Sequence, residues 1–109
     1  MSAARRVLAQ ARTPEGALVV VYGDTWHEHV LHPRDGHNEL ATHLDSVLAT
    51  IATPDHREPD PRPRRQRFSK QGVGPSRWLM VVVSFEQLPA RVVTALGYGH
   101  GRSPHRWMP

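Results

Sequence analysis

The stretch RWLMVVVSF, from Arg77 to Phe85, is almost continuously apolar and decides the fold. Such a run, rich in β-branched residues, is typical of a central strand that is buried on both faces, or on one face under aromatic cover. Glu86 to Ala90 predicts a turn, and RVVTAL, from Arg91 to Leu96, predicts a returning strand. We therefore expect the two strands to pair antiparallel at the centre of a sheet.

An amphipathic helix upstream supplies the apolar surface that would cover these strands. Asn38 is a candidate N-cap, and Thr53-Pro54-Asp55 ends the segment. Between them, apolar side chains recur at the helical period. They are Leu40, Leu44, Val47, Leu48 and Ile51. We expect the stripe from Leu44 to Ile51 to pack across the two strands, because neither surface can be buried without the other.

The remaining segments add strands and short helices to this core. Ala17 to Tyr22 (ALVVVY) predicts a buried strand, and Trp26 to Leu31 predicts a short helix. Ala3 to Arg12 predicts another short helix. His56 to Pro63 is too rich in proline for a central strand and predicts an edge strand or an extended loop. Arg65 to Lys70 alternates as a half-exposed strand does.

The order of these elements predicts the fold class and the domain organisation. Helices followed by a run of strands predict an α+β fold, with the N-terminal helices packed on one face of an antiparallel β-sheet meander. A chain of 109 residues provides one core and one domain. We expect an N-terminal extension over residues 1–16, a single domain over 17–99 and a C-terminal tail over 100–109.

The charge balance favours an anionic partner. The formal net charge is +4, and thirteen of the fourteen Lys and Arg residues are arginine. Because arginine binds phosphate bidentately and stacks on bases, nucleic acid is a better candidate than a membrane surface. The same arginine enrichment is also expected from a GC-rich genome, without any partner.

Several classes of site and of localisation are disfavoured by what the sequence lacks. It contains no cysteine, which excludes disulfides, a thiolate zinc site and a cysteine nucleophile. The first residues have no apolar segment of signal-peptide length, and no run approaches the roughly 20 apolar residues of a membrane span. We expect a soluble, cytoplasmic protein, or one delivered into the cytoplasm of a target cell.

A histidine cluster marks the candidate site. WHEHVLHP, from Trp26 to Pro33, places His27, His29 and His32 within six positions. Imidazole titrates near neutral pH, so such a cluster indicates acid/base chemistry or metal binding. With Glu28 and His37 nearby, a metal site is one alternative, but on a helix His27 and His29 point about 200° apart and could share an ion only if the segment is extended.

The order of short motifs resembles a known nuclease family. WxxHVLHP, a helix ending in TIATPD, the basic RxRF, the strand RWLMVVV and a final VVTA are similar to the barnase, EndoU, colicin and RelE-like nucleases of phages and polymorphic toxins. The resemblance extends over Ala17 to Leu96 and rests on order and spacing. The matching residues are Trp26, His29, Val30, His32, Pro33, Arg67 and Thr94. The family usually has more residues between its two histidines, so the second one here is either His32 or His37.

The resemblance implies a metal-independent ribonuclease-like toxin domain that needs no cofactor and acts on RNA such as tRNA. His29, with His32 or His37, would supply the acid and base, while Arg67 would stabilise the phosphorane and Thr94 would hydrogen-bond the phosphate. Residues expected to bind the substrate are Arg65, Lys70, His37 and Arg77. A toxin of this kind implies an acidic antitoxin or immunity protein that covers the basic face. The alternatives are a non-catalytic phage or immunity interaction protein on the same fold, and a metal-binding protein that uses the histidine cluster.

Overall fold

The structure, a computed structural model, describes residues 6–31, 40–74 and 76–98, except for the side chain of His29. Asn38, the expected helix cap, lies outside these residues. The elements in chain order are β1 (Val7–Arg12), β2 (Leu18–Tyr22), the single turn α1 (Gly23–Thr25), a π-helical turn (Trp26–Val30), α2 (Leu44–Ala52), β3 (His56–Pro59), β4 (Arg65–Gln71), β5 (Trp78–Ser84) and β6 (Ala90–Tyr98).

Six strands form one sheet in the order β1-β2-β6-β5-β4-β3. The central pair is β5 with β6, antiparallel as expected from the apolar run at Arg77 to Phe85. The α+β class is confirmed, but the expected antiparallel meander is interrupted, because β2 pairs with β6 in parallel. After β2 the chain passes through the helices to β3 at the opposite edge of the sheet, and it returns through β4 and β5 to β6, which lies beside β2.

The main core lies between one face of the sheet and the helices. Val47 and Ile51 of α2 are fully buried against sheet residues such as Val81, and α2 contacts β1, β4 and β5. The predicted packing of the helical stripe is confirmed for β5, whereas β6 is contacted more by the π-helical turn than by α2. Trp26 and Val30 of the π-helical turn belong to the same core. The segment that carries the histidine cluster therefore lies in the helix layer, as far as it is described.

The N-terminal helix expected over Ala3 to Arg12 is wrong in its described part, because Val7–Arg12 is a strand that pairs antiparallel with β2. Its alternation explains this result. Ala9 and Ala11 pack against the core, while Leu8 and Gln10 between and beside them are exposed. Alanine is the strongest helix former, but helix propensity is small in energy, and pairing with a buried neighbouring strand outweighs it. Val7–Arg12 is thus the first strand of the sheet.

The other face of the sheet, called here the second face, carries a separate apolar cluster. Met80, Val82 and Tyr98 are buried there, with partly buried neighbours at Trp78, Val93 and Leu96. In the described part of the chain, all members of this cluster belong to strands. The second face also carries Glu58 of β3 and Arg65 and Arg67 of β4, whereas Arg57 and Lys70 lie on the helix side.

Candidate functional site

Register places four chemically distinct side chains in one row across the second face. Glu58 of β3 pairs with Arg67 of β4, Arg67 with Val82 of β5, and Val82 with Thr94 of β6. Directly paired residues project from the same face of a sheet. Two positions further along each strand, about 7 Å away, a second row begins with His56 and Ser69.

A surface cavity of about 400 Å³ lies at the charged end of this face. It is called here the arginine cavity, and its lining residues are Asp60, Pro61, Arg62, Arg65, Arg67, Val82, Val93 and Thr94. A bulge in β6 contributes to the lining, because the register shifts by one residue opposite Val82 and Val83. Such a bulge presents an additional residue locally, here Val93 beside Thr94.

Two carboxylates already hold the guanidinium of Arg67. Its Nε donates a hydrogen bond of 2.9 Å to Oδ1 of Asp60, and its Nη1 lies 4.0 Å from Oε2 of Glu58. The side chain of Arg67 is only 16% exposed, and that of Glu58 only 4%. Because the group is largely desolvated, these two acids neutralise most of its charge in the unliganded protein.

The guanidinium of Arg65, unlike that of Arg67, has a buried nitrogen without a hydrogen bond in the described residues. Its Nε is buried and makes no hydrogen bond within residues 6–31, 40–74 and 76–98, although its charge acts on the nearby Asp60. A buried donor without a partner is costly, typically by about 1–3 kcal/mol. An anion that entered the arginine cavity would satisfy this donor. Arg65 is therefore the residue of the site with the most to gain from a ligand.

The turn between β3 and β4 positions both groups. Asp60 accepts a second hydrogen bond, of 3.0 Å, from the backbone N–H of Arg62, while its own backbone N–H donates to the carbonyl of Arg65. Burial raises the pKa of the Asp60 carboxyl, but the bond from Arg62, the bond from Arg67 and the charges of Arg67 and Arg65 together hold that pKa below its usual value. Asp60 is thus an anion fixed at the entrance of a cationic site.

Glu58 links the arginine cavity to an imidazole. Its Oε1 lies 3.2 Å from Nε2 of His56, whose side chain is 28% exposed. The other carboxylate oxygen, Oε2, is buried and has no hydrogen-bond partner in the described residues. The 3.2 Å contact is an ion-pair distance and not a hydrogen bond, so it brings a buried carboxylate to one edge of a partly exposed imidazole.

The residues proposed from the sequence divide between this site and other places. Arg65, Arg67 and Thr94 lie together at the arginine cavity. Lys70 instead donates a hydrogen bond to the carbonyl of Thr53 at the end of α2. Arg77 is exposed just before β5, five positions and roughly 16 Å along the strand from Val82. The structure therefore brings together three of the five described candidates.

The histidines of the WHEHVLHP segment do not join this group in the described residues. His32 and His37 lie outside the description, as does the side chain of His29. The backbone of His29 belongs to the π-helical turn, whose Trp26 and Val30 pack on the helix side of the sheet. The sheet lies between that turn and the second face, where Arg67 and Thr94 project. Contact of His29 with the same phosphate stays a prediction.

The metal alternative has no support within the described part of the chain. No group of three or more His, Asp or Glu side chains there is placed to hold a metal ion. His27 and Glu28 are exposed and line a second surface cavity, of about 350 Å³, together with Arg6 and Asp24. His32 and His37, which belong to the same hypothesis, are not described.

Sequence reasoning missed His56, Glu58 and Asp60, although a signal was present. The segment HREPDP has His56, Glu58 and Asp60 at alternate positions, which puts these three on one face of an extended segment, with Arg57 on the other. The prolines drew attention to the loop and edge character of the segment instead. A search for alternating His, Glu and Asp next to an alternating Arg strand would have found the cluster.

The fold and the site define an α+β protein with a six-stranded, mostly antiparallel sheet and an arginine-lined cavity on the face opposite its helices. Comparison of the chain with family models, with curated proteins and with solved structures gives no match. Among the helices that the structure describes, none has the length and apolarity that crossing a membrane requires.

Proposed function

We propose that this chain is a metal-independent ribonuclease-like domain that binds RNA on the second face of its sheet and cleaves it through a 2′,3′-cyclic phosphate. One observation carries the proposal. Two arginines and a threonine line one cavity, and a histidine in contact with a buried glutamate lies one row further along the same face. The resemblance to toxin nucleases suggested the same reaction from different histidines.

The arginine cavity has the chemistry to bind a phosphodiester. Arg65 offers a buried donor without a partner, Arg67 offers a desolvated guanidinium, and Thr94 offers a hydroxyl. Arginine forks match phosphate oxygens, and charge-assisted hydrogen bonds are about twice as strong as neutral ones. In the transition state, the same cations would stabilise the added negative charge of the phosphorane.

His56 is the best candidate for proton transfer among the described residues. It is partly exposed, and it lies about 7 Å along β3 from the row of Arg67, a distance that a phosphate and its neighbouring ribose can bridge. In the proposed reaction, the 2′-oxygen attacks phosphorus while His56 takes the proton from the 2′-hydroxyl. The bond from phosphorus to the 5′-oxygen then breaks, and that oxygen receives a proton. Glu58 is a positioning residue whose carboxylate lies beside the imidazole.

The group that protonates the 5′-oxygen belongs to the untested part of the proposal. The family resemblance supplies His29, with His32 or His37, but the backbone of His29 lies on the helix side of the sheet, so in this proposal the 5′-oxygen takes its proton from water. As a toxin-like domain the protein would also require a neutralising partner, and an acidic protein that covers the arginines of the second face would fit.

The experiment is incubation of the purified chain with total RNA, tRNA included, in EDTA, followed by sequencing of new 3′ ends. We expect cleavage that persists in EDTA and leaves 2′,3′-cyclic phosphate, since the 2′-hydroxyl is the nucleophile. Arg65→Ala should weaken RNA binding and reduce its salt dependence, because one phosphate contact is lost. Loss of cleavage in EDTA with rescue by zinc would refute the metal-free mechanism.

A second candidate is a non-catalytic interaction protein, and one observation favours it. Arg67 is already neutralised by Asp60 and Glu58, as in an ion-pair network that only holds β3 and β4 together. The two candidates differ in a simple result. A well-folded chain that leaves every RNA intact, with or without added metal ions, supports the interaction protein.

A further inference from the structure

The arginine cavity contains its own anion. Asp60 directs Oδ1 to the guanidinium of Arg67 and Oδ2 to the backbone N–H of Arg62. These are the donor types that also bind phosphate oxygens, and both belong to residues that line the cavity. The nearby Arg65 keeps a buried Nε without a partner in the described residues. Asp60 therefore hydrogen-bonds one cation of the site, Arg67, and leaves the Nε of the other without a hydrogen bond to the described part of the chain.

We propose that Asp60 competes with the phosphate of the ligand for Arg67, and thereby sets the anion affinity of the arginine cavity. This inference rests on the proposed function for the identity of the natural ligand, which is RNA. The competition for Arg67 does not depend on RNA cleavage, because any phosphate that enters the cavity meets the Asp60 carboxylate.

Two opposing effects decide what Asp60 does. If it mainly positions Arg67, its removal lets the guanidinium move and weakens anion binding. If it mainly competes, its removal frees Arg67 and abolishes a repulsion, so anion binding strengthens. The structure favours competition, since Arg67 is also restrained by Glu58 and has only 16% of its side chain exposed. A guanidinium with this second acidic neighbour and little free space keeps its place without Asp60.

Asp60→Asn is the informative variant, because the amide oxygen still accepts the hydrogen bond from the N–H of Arg62 while the charge is lost. Asp60→Ser, which also keeps an oxygen without a charge, is the second variant in case the amide disturbs the turn. The matched control is Asp55→Asn. Asp55 lies 3.8 Å from Lys70 and accepts a hydrogen bond from the backbone of Gln71, so its change raises the net charge equally at a place outside the cavity.

The probe is inorganic phosphate, titrated by calorimetry or by NMR against the full-length chain and each variant. A single-stranded RNA oligonucleotide is measured in parallel by fluorescence anisotropy at fixed salt. We expect Asp60→Asn to bind phosphate about tenfold more tightly than the wild type, the effect of one charged hydrogen bond. Asp55→Asn should change the affinity by less than about twofold. Addition of Arg65→Ala to Asp60→Asn should remove most of the gain.

The outcomes separate this inference from the proposed function. Weaker phosphate binding by Asp60→Asn and Asp60→Ser, or equal gains for Asp60→Asn and Asp55→Asn, would overturn the competition. A gain confined to Asp60→Asn, with RNA neither bound nor cleaved by any variant, would support the competition and refute the proposed RNA ligand. RNA binding that is unchanged in Asp60→Asn, together with unchanged phosphate binding, would refute the competition and leave the proposed function standing.

Discussion

Replacement of the buried carboxylate of Glu58 by an amide tests whether its contacts with His56 and Arg67 stabilise the fold. Glu58 contacts His56 at 3.2 Å and Arg67 at 4.0 Å, with only 4% of its side chain exposed. Glu58→Gln keeps the shape of the side chain and removes its charge. The variant should fold, because the amide occupies the same volume as the carboxylate.

The expected cost follows from what remains after the change. Loss of one partner of a buried ion pair typically costs 3–5 kcal/mol when the other charge is left alone. Here Arg67 keeps its hydrogen bond of 2.9 Å to Asp60, so its charge is not left alone. The cost should therefore be closer to that of one charged hydrogen bond, about 2 kcal/mol.

Urea denaturation followed by circular dichroism measures this cost, with Glu15→Gln as the matched control. Glu15 also pairs with an arginine, Arg57, but 53% of its side chain is exposed, and solvent screening limits such a pair to about 1 kcal/mol or less. Equal losses in the two variants would refute the view that burial distinguishes the pairs. A loss above about 4 kcal/mol for Glu58→Gln would mean that Asp60 does not compensate Arg67.

Two further predictions concern the stability of the fold. The hydrogen bonds from Arg57 lower the pKa of Glu15 from 4.5 to about 2, so this carboxylate stabilises the protein above about pH 4.5, and its contribution disappears as the pH falls towards 2. The difference in unfolding free energy between the wild type and Glu15→Gln should therefore be constant near pH 7 and vanish near pH 2. A difference that grows in acid would contradict this prediction. Ile51→Ala should cost about 2–5 kcal/mol in urea denaturation, because Ile51 of α2 is fully buried against the sheet, whereas Leu88→Ala, at a side chain 94% exposed, should cost less than about 0.5 kcal/mol. Similar costs would contradict the assigned core.

The fold class could be predicted because its two main signals are unambiguous. The apolar run around Val81 and the helical stripe through Val47 and Ile51 each require burial, and each provides the surface that the other needs. The parallel pairing of β2 with β6 could not be predicted, because Val19 and Val21 read as a buried strand whatever the direction of the neighbouring strand.

The candidate site was only partly predictable. Alternation on β4 puts Arg65 and Arg67 on one face, and the threonine among valines at Thr94 indicates a polar exception, so these three could be selected from the sequence. The alternation of His56, Glu58 and Asp60 is visible in the sequence, but the register that places Glu58 beside Arg67 comes only from the pairing of β3 with β4.

The most direct test of the account is a comparison of RNA cleavage by the wild type, His56→Ala and His27→Ala in EDTA. We expect products with 2′,3′-cyclic phosphate and a rate that is lower by a factor of about 100 or more for His56→Ala. The rate of His27→Ala should be unchanged, because its exposed side chain lines the second cavity, with Arg6 and Asp24. Unfolding curves should show that His56→Ala remains folded. Cleavage that survives intact in His56→Ala, or no cleavage of any RNA by the folded wild type, would contradict it.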